Sequence, residues 1–177
     1  MADSILTLDQ IDVLLADFIA AKLNLTSNQV LIAYSDKGQR SYPFGSTVVF
    51  LHTEQEQDEV QRIKNRVRTQ NSSTYQFSSV QTSMRVLNVD ISFYGATCDT
   101  LATRFKELLY FESSNEFFYK NNLSLIPNRI TISNKVHENV NGRWWERVDL
   151  TIALYNSISV DETNNPFESM NWNVYVR

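Results

Sequence analysis

The sequence has few of the residues on which catalytic and metal sites commonly depend. Its 177 residues include one cysteine, Cys98, and two histidines, His52 and His137. A single cysteine excludes an internal disulfide and a cysteine-based zinc site. The glycine pattern of a nucleophile elbow is also missing, and we expect both histidines to be ordinary sheet residues. The sequence therefore predicts no catalytic residue, no cofactor and no metal site.

Glycine and proline are also scarce, at four and three residues, which leaves little room for a backbone phosphate cradle. The segment "GATCDTLATR", at 95–104, lies where a strand turns into a helix, the usual place for such a cradle. It lacks the second glycine and the Gly-Lys-Ser/Thr ending. We therefore interpret Cys98 as a small buried residue rather than a nucleophile. Asp90, Asp99 and Asp149 do not have the spacing of a metal-binding loop.

Long apolar runs and a strongly basic balance are missing as well. No run approaches the roughly 20 residues of a membrane span, and "MADSILTLDQ" does not resemble a signal peptide. The net charge of −4 argues against a dedicated nucleic-acid binder. Hydrophobic residues make up 42% of the chain, which is typical of a soluble globular protein. We expect a single domain over 1–177, kept in a reducing cytoplasm.

The periodicity predicts two amphipathic helices and several strands. Thr7 and Gln10 form a capping-box pattern before a helix with apolar residues at helical spacing. A second helix is expected near 97–112, and "EFFY", at 116–119, is expected to join the core or otherwise an oligomer contact. Strands are expected at 30–34, 47–54 and 85–95, with a hairpin at 128–156 and a C-terminal extension at 157–177, where "NVYV" at 173–176 suggests a last strand. In 85–95, alternate residues from Leu87 to Phe93 are expected to face the core. The predicted fold is α+β: a mainly antiparallel β-sheet packed by the two helices.

Residues 55–83 fit two structures. "DEVQRIKNRVR" has acids first and bases last, which suits a helix dipole. At a period of two, it instead places four bases on one face of a strand; this basic stripe consists of Arg62, Lys64, Arg66 and Arg68. We favour a long β-hairpin arm projecting from the body and keep the helix as the alternative. The stripe is either a solvated face or a docking surface for an acidic partner or DNA phosphates. Nearby acids favour a protein partner, such as the arm of another copy: these are Glu56, Asp58 and Glu59.

The adjacent tryptophans of "NGRWWERVDL", at 141–150, face opposite sides of a strand. Trp144 shares its parity with apolar residues from Val148 onward, so we expect Trp144 in the core. A two-residue Asn-Gly turn would place polar residues of the first arm on the core face. We therefore predict a three-residue loop with a bulge at Gly142, which pairs Ile132 with Leu150 and Ile130 with Ile152.

This register puts Trp145 on the polar face, opposite His137 and beside Arg147. A covering helix, a neighbouring subunit or a stacked small ligand would each account for it. Tryptophan and arginine are enriched at interface hot spots. The candidate subunit interface therefore comprises Trp145, Arg147, His137 and Arg143.

At "VDISFYGATCDTLATRFKELL", residues 89–109, the chain resembles the neck and tail-terminator proteins of tailed bacteriophages. The shared pattern is a strand ending in Ser-x-Tyr-Gly followed by an amphipathic helix. It extends to "IDVLLADFIAAKL", to the strand at 47–54 and to "RWWERVDLTIAL", so that it spans about 8–156. The segment "SDKGQRSYPFGS", at 35–46, is more charged than the proline-rich segment typical of the family.

The resemblance implies a structural virion protein rather than an enzyme. Such proteins form rings, commonly hexamers, that cap the tail tube and join it to the head connector. DNA passes through the lumen with transient, non-specific contacts. The implied location is the neck of the virion, after synthesis in the host bacterial cytoplasm. The alternatives are a monomeric head-completion or tail-assembly adaptor or chaperone, and an enzyme of unrecognised type.

Overall fold

The computed structural model describes residues 5–34, 42–56, 63–70, 77–140 and 142–164, and only the backbone of 63–70, 77–79 and 162–164. Three helices lie in this part of the chain: α1 (Leu8–Leu23), α2 (Cys98–Leu108) and α3 (Glu112–Lys120). The strands are β1 (Val30–Ile32), β2 (Val48–Gln55), β3 (Ile63–Gln70), β4 (Phe77–Tyr94), β5 (Leu123–Ile132), β6 (Val136–Val140) and β7 (Arg143–Asn164).

The predicted capping box begins α1. The Gln10 amide donates to the Thr7 hydroxyl over 3.2 Å, and the Thr7 amide donates to the Gln10 side chain over 2.9 Å. Both amides would otherwise lack an acceptor at the helix start. The helix ends at Leu23, and its C-terminal cap, Asn24, adopts the left-handed conformation at φ 55°.

One sheet organises the described residues, with strands in the order β1-β2-β4-β7-β5. In addition, β3 pairs with β4 and β6 pairs with β7. The pair β1–β2 is parallel, and the other pairs are antiparallel. The α+β prediction is confirmed, and α3 is a third helix in addition to the two predicted.

The core lies between the helices and one face of the sheet. Alternate residues of β4 are buried as predicted, and so are those of β7 from Val148 onward. Phe18 of α1 connects the helices, because its ring stacks on Phe117 at 4.3 Å and also contacts Phe105 and Phe118. "EFFY" is therefore divided: Phe118 is buried and Phe117 packs on the core, whereas Tyr119 is exposed.

The described part of 55–83 forms strands. β3 pairs with the first residues of β4, and those residues pair on their other side with Ser157–Asn164 of β7. The helix alternative is therefore wrong for 63–70, and three strands pair in this region, where the sequence predicted a two-stranded hairpin. Residues 157–164, predicted as part of a C-terminal extension, belong to β7. The suggested last strand at "NVYV", 173–176, lies outside the described residues.

The predicted bulge of the tryptophan hairpin, the unit formed by β6 and β7 around residue 142, is in the wrong place. Ile132 pairs with Leu150 and Ile130 with Ile152, as predicted. However, Val140 pairs with Arg143, so two residues connect β6 to β7, and Gly142 has φ +76°.

The β5–β6 side of the hairpin instead has one more residue than β7 between these two registers, and the shift occurs at Ser133. The Ser133 amide donates to the Asp149 carbonyl over 2.8 Å, and the Asp149 amide donates to the Ser133 hydroxyl over 2.8 Å. A side-chain hydroxyl thus replaces a backbone acceptor, which lets the register shift by one residue between β5 and β6.

Candidate subunit interface

Trp145 lies on the sheet face opposite the helices, which we call the far face, within a group of aromatic rings. Its ring meets Phe44 edge-on at 5.5 Å and Tyr94 at 6.3 Å. Tyr94 in turn meets Phe50 at 5.6 Å. Trp145 is half-buried. Edge-to-face ring pairs are favourable beyond the apolar area that they bury. The cover expected over Trp145 is therefore supplied partly by the turn that carries Phe44, rather than by a helix.

Arg147 is engaged within its own chain beside Trp145. Its guanidinium donates to Glu138 over 2.7 Å and to Asp149 over 3.1 Å, and the Tyr94 hydroxyl donates to the same Glu138 over 2.9 Å. The contact with the Tyr94 hydroxyl and the nearby carboxylates raise the pKa of Arg147. Burial raises the pKa of Tyr94, which keeps its hydroxyl protonated as a donor. This network fixes the two strands of the hairpin to each other and to β4.

Glu138, not His137, is the residue opposite Trp145, which corrects the predicted pairing. His137 pairs with Glu146 and lies on the helix side of the hairpin. Its Nε2 atom lies 3.8 Å from a Glu146 carboxylate oxygen, and Lys135 bonds the other oxygen over 3.1 Å. That hydrogen bond raises the pKa of Lys135. His137 is exposed, so a neighbouring molecule can reach it.

Trp144 is exposed over 64% of its surface, so its predicted place in the core is wrong. The alternation of side chains along β7 does place Trp144 on the same side of the sheet as the helices, together with Val148. However, α2 begins only at Cys98, and the Gly95 amide just before it donates to the Glu146 carbonyl over 3.1 Å. Trp144 therefore extends beyond the start of the helix that buries the later residues of that face. Cys98 itself is buried as predicted, and burial raises the pKa of its thiol.

Arg143 lies at the end of the tryptophan hairpin. Its guanidinium carbon lies 5.4 Å from the centre of the Phe44 ring. Such a cation–π contact holds the charge near the ring and leaves its remaining hydrogen-bond donors accessible. Among the described residues, Arg143 makes no ion pair.

The proposed docking residues of the arm are only partly described. Glu56 forms an ion pair with Arg129 over 2.6 Å, which holds it against β5. The backbone of Lys64, Arg66 and Arg68 lies in β3, and the register shifts between Ile63 and Asn65. The stripe's first base and the remaining acids of the arm lie outside the described residues: they are Arg62, Asp58 and Glu59.

On the far face, the other histidine has an ion-pair partner and a ring contact. His52 lies 3.3 Å from Glu54 and meets the Tyr34 ring edge-on. In the part of the chain that the structure describes, no three His, Cys, Asp or Glu residues are grouped to hold a metal ion. No helix in that part is long and apolar enough to cross a membrane.

Three solvent-exposed aromatic residues were not predicted from the sequence. Tyr110 and Phe111 lie where α2 turns into α3, and Tyr119 lies on the outer face of α3. We call these three residues the aromatic corner. One signal was available in the sequence: Tyr110 and Phe111 directly follow the apolar pair Leu108 and Leu109. Four consecutive positions cannot all face one side of a helix, so some of these side chains must point outward.

A family model described as a phage neck terminator protein matches residues 9–175. This match includes both helices of the predicted pattern, the tryptophan hairpin and the arm. No curated protein matches the sequence.

Proposed function

Because the chain belongs to the phage neck terminator protein family, we propose that it forms a ring at the head-proximal end of a phage tail. Membership confirms the family resemblance, and the chain is accordingly a structural protein of the phage neck that associates with other neck or tail proteins. We propose that the ring is a hexamer that terminates the tail tube and joins it to the connector. DNA would pass through its lumen with transient, non-specific contacts.

The observation that carries this proposal is the family match over nearly the whole chain. The exposed end of the tryptophan hairpin supports it. Trp144 and Arg143 have the residue types that dominate interface energetics, and both side chains are exposed. A ring needs two different surfaces on each subunit, one to bind each neighbour. The hairpin offers one such surface.

The interface residues proposed from the sequence take two roles in this ring. His137 and Arg143 are exposed and would contact the neighbouring subunit directly. Trp145 and Arg147 have partners within their own chain, and they would hold the hairpin in the shape that binds. The basic stripe and the acids of the arm would add salt-sensitive contacts to a neighbouring subunit, the tube or the connector.

Mass measurement in solution tests the ring directly. Light scattering over a range of concentrations, with and without purified tail tubes, should detect an assembly of several subunits. A strict monomer under both conditions would contradict the ring and favour a monomeric adaptor.

A further inference from the structure

The end of the tryptophan hairpin presents an apolar side chain on the helix side, Trp144, and on the far face a guanidinium, Arg143, whose described contact is with the Phe44 ring. Trp144 is 64% exposed. Its neighbour Arg143 has no ion pair among the described residues, whereas the hairpin's Lys135 and Arg147 are both paired with carboxylates. A matching surface should therefore be aromatic or apolar and carry unpaired acids.

The aromatic corner has these properties. Phe111 is 59% exposed and Tyr119 is 83% exposed, and Tyr110 is also exposed. Glu107 and Glu112 flank these rings, and neither has an ion pair within the described residues. The corner thus combines exposed rings with two carboxylates that make no ion pair among the described residues. The exposed ring and the guanidinium of the hairpin end complement these two features.

The backbone of the aromatic corner is held firmly from below. The Ser114 side chain is fully buried, and its hydroxyl donates to the Leu108 carbonyl over 2.7 Å. Leu109 and Phe118 are buried on either side of the turn. A surface fixed in this way loses little conformational freedom when it binds a partner, which favours association.

The two surfaces lie at opposite ends of α2. The hairpin end adjoins its N-terminus through the hydrogen bond from Gly95 to Glu146, and the corner follows its C-terminus. Eleven helical residues separate them, about 16 Å at 1.5 Å per residue. One molecule therefore cannot bring its own hairpin end onto its own corner, but a second copy placed head to tail can. Contacts of this heterologous kind generate rings.

We propose that Trp144 of one subunit packs on Tyr110 and Phe111 of the next subunit. The hairpin docks by its tip, so that Arg143, on the face of the strand opposite Trp144, also reaches the carboxylates of Glu107 and Glu112. The inference rests on the proposed ring and assigns the two surfaces that build it. It makes Trp144, rather than Trp145, the anchor between subunits.

Disulfide trapping between two different variants tests the contact. A Trp144→Cys chain mixed with a Phe111→Cys chain under mild oxidation should give a mixed dimer, because the two new thiols would meet across the interface. The native Cys98 is fully buried and does not compete. A Tyr34→Cys chain is the matched control: Tyr34 is 87% exposed, and it should not be trapped by the Trp144→Cys chain.

Two results would overturn the contact. One is a Trp144→Cys chain that links mainly to itself, which would mean a symmetric contact through the hairpin. The other is a mixed dimer no more abundant than with the Tyr34→Cys control. If the wild-type protein still forms rings in either case, the proposed function stands and only this contact fails. If the wild-type protein stays monomeric with tail tubes present, the ring itself fails.

Substitution without crosslinking gives an independent result. Trp144→Ala and Phe111→Ala should each weaken subunit association by roughly tenfold or more, as expected for a hot-spot residue. In a mixture of these two variants, only one kind of contact remains intact. The Phe111→Ala chain keeps Trp144, and this residue can bind the aromatic corner of the Trp144→Ala chain, which keeps Phe111. The mixture should therefore form dimers but no rings. Full rings from either variant alone would contradict the proposal.

Discussion

The adjacent tryptophans should respond very differently to the same substitution. Trp145→Ala removes two edge-to-face ring contacts, with Phe44 and Tyr94. Such pairs contribute about 0.5–1.5 kcal/mol each beyond area burial. With the lost burial of a partly buried ring, the free energy of unfolding should fall by about 2–3 kcal/mol, below the full cost of emptying a core site. For a domain of this size, the melting temperature should fall by roughly 4–12 °C.

Trp144→Ala is the matched control, because it removes the same side chain from the next position. Trp144 is 64% exposed and has no ring contact among the described residues. Its loss should change the free energy of unfolding by no more than about 0.5 kcal/mol.

Urea unfolding of both variants, at concentrations where the protein is monomeric, measures the difference without a contribution from assembly. Equal losses, or a larger loss for Trp144→Ala, would refute the assignment of Trp145 as the packed ring and Trp144 as the free one.

Three other perturbations have defined outcomes. Burial raises the pKa of Asp12 above its ordinary value of 3.8. The protonated Asp12 therefore contributes fully to stability below pH 3.8, and this contribution is lost as the pH rises through the raised pKa. Asp12→Asn should remove this decline in urea titrations across that range, and an unchanged pH profile would exclude Asp12 as its source. Gly95→Ala places a methyl group 2.9 Å from the Ser46 carbonyl oxygen at φ +111°, so it should lower stability by about 1–3 kcal/mol; a neutral result would mean that the turn adapts. Neutralising the basic stripe should weaken docking to tail tubes at low salt and have little effect at high salt, whereas equal docking at both would make the stripe a solvated face.

The parts of the fold that the sequence predicted are those set by local pattern. The capping box of α1 depends on residues three positions apart, and the buried parity of β4 depends on strict alternation. Both were confirmed, because each pattern depends on residues close together in the chain. The helix alternative in the arm failed because β3 gains backbone partners from β4, and strand pairing between distant residues is not visible in a short window.

The errors in the tryptophan hairpin have a common physical origin. Parity gave the correct side of the sheet for both tryptophans, but burial also requires something to lie on that side. Helix α2 begins level with Glu146 and leaves Trp144 uncovered, while the turn carrying Phe44 reaches Trp145 on the far face. The bulge was misplaced because a serine hydroxyl can stand in for a backbone acceptor. Each of these outcomes depends on where distant elements pack, which the local pattern of residues does not reveal.

Low-resolution electron microscopy of tail tubes incubated with the purified protein tests the central claim most directly. The account predicts a ring at one end of the tube, with a central opening wide enough for DNA. Trp144→Ala protein at the same concentration should leave most tube ends bare. Wild-type tube ends that stay bare, or that carry a single compact particle without an opening, would contradict it.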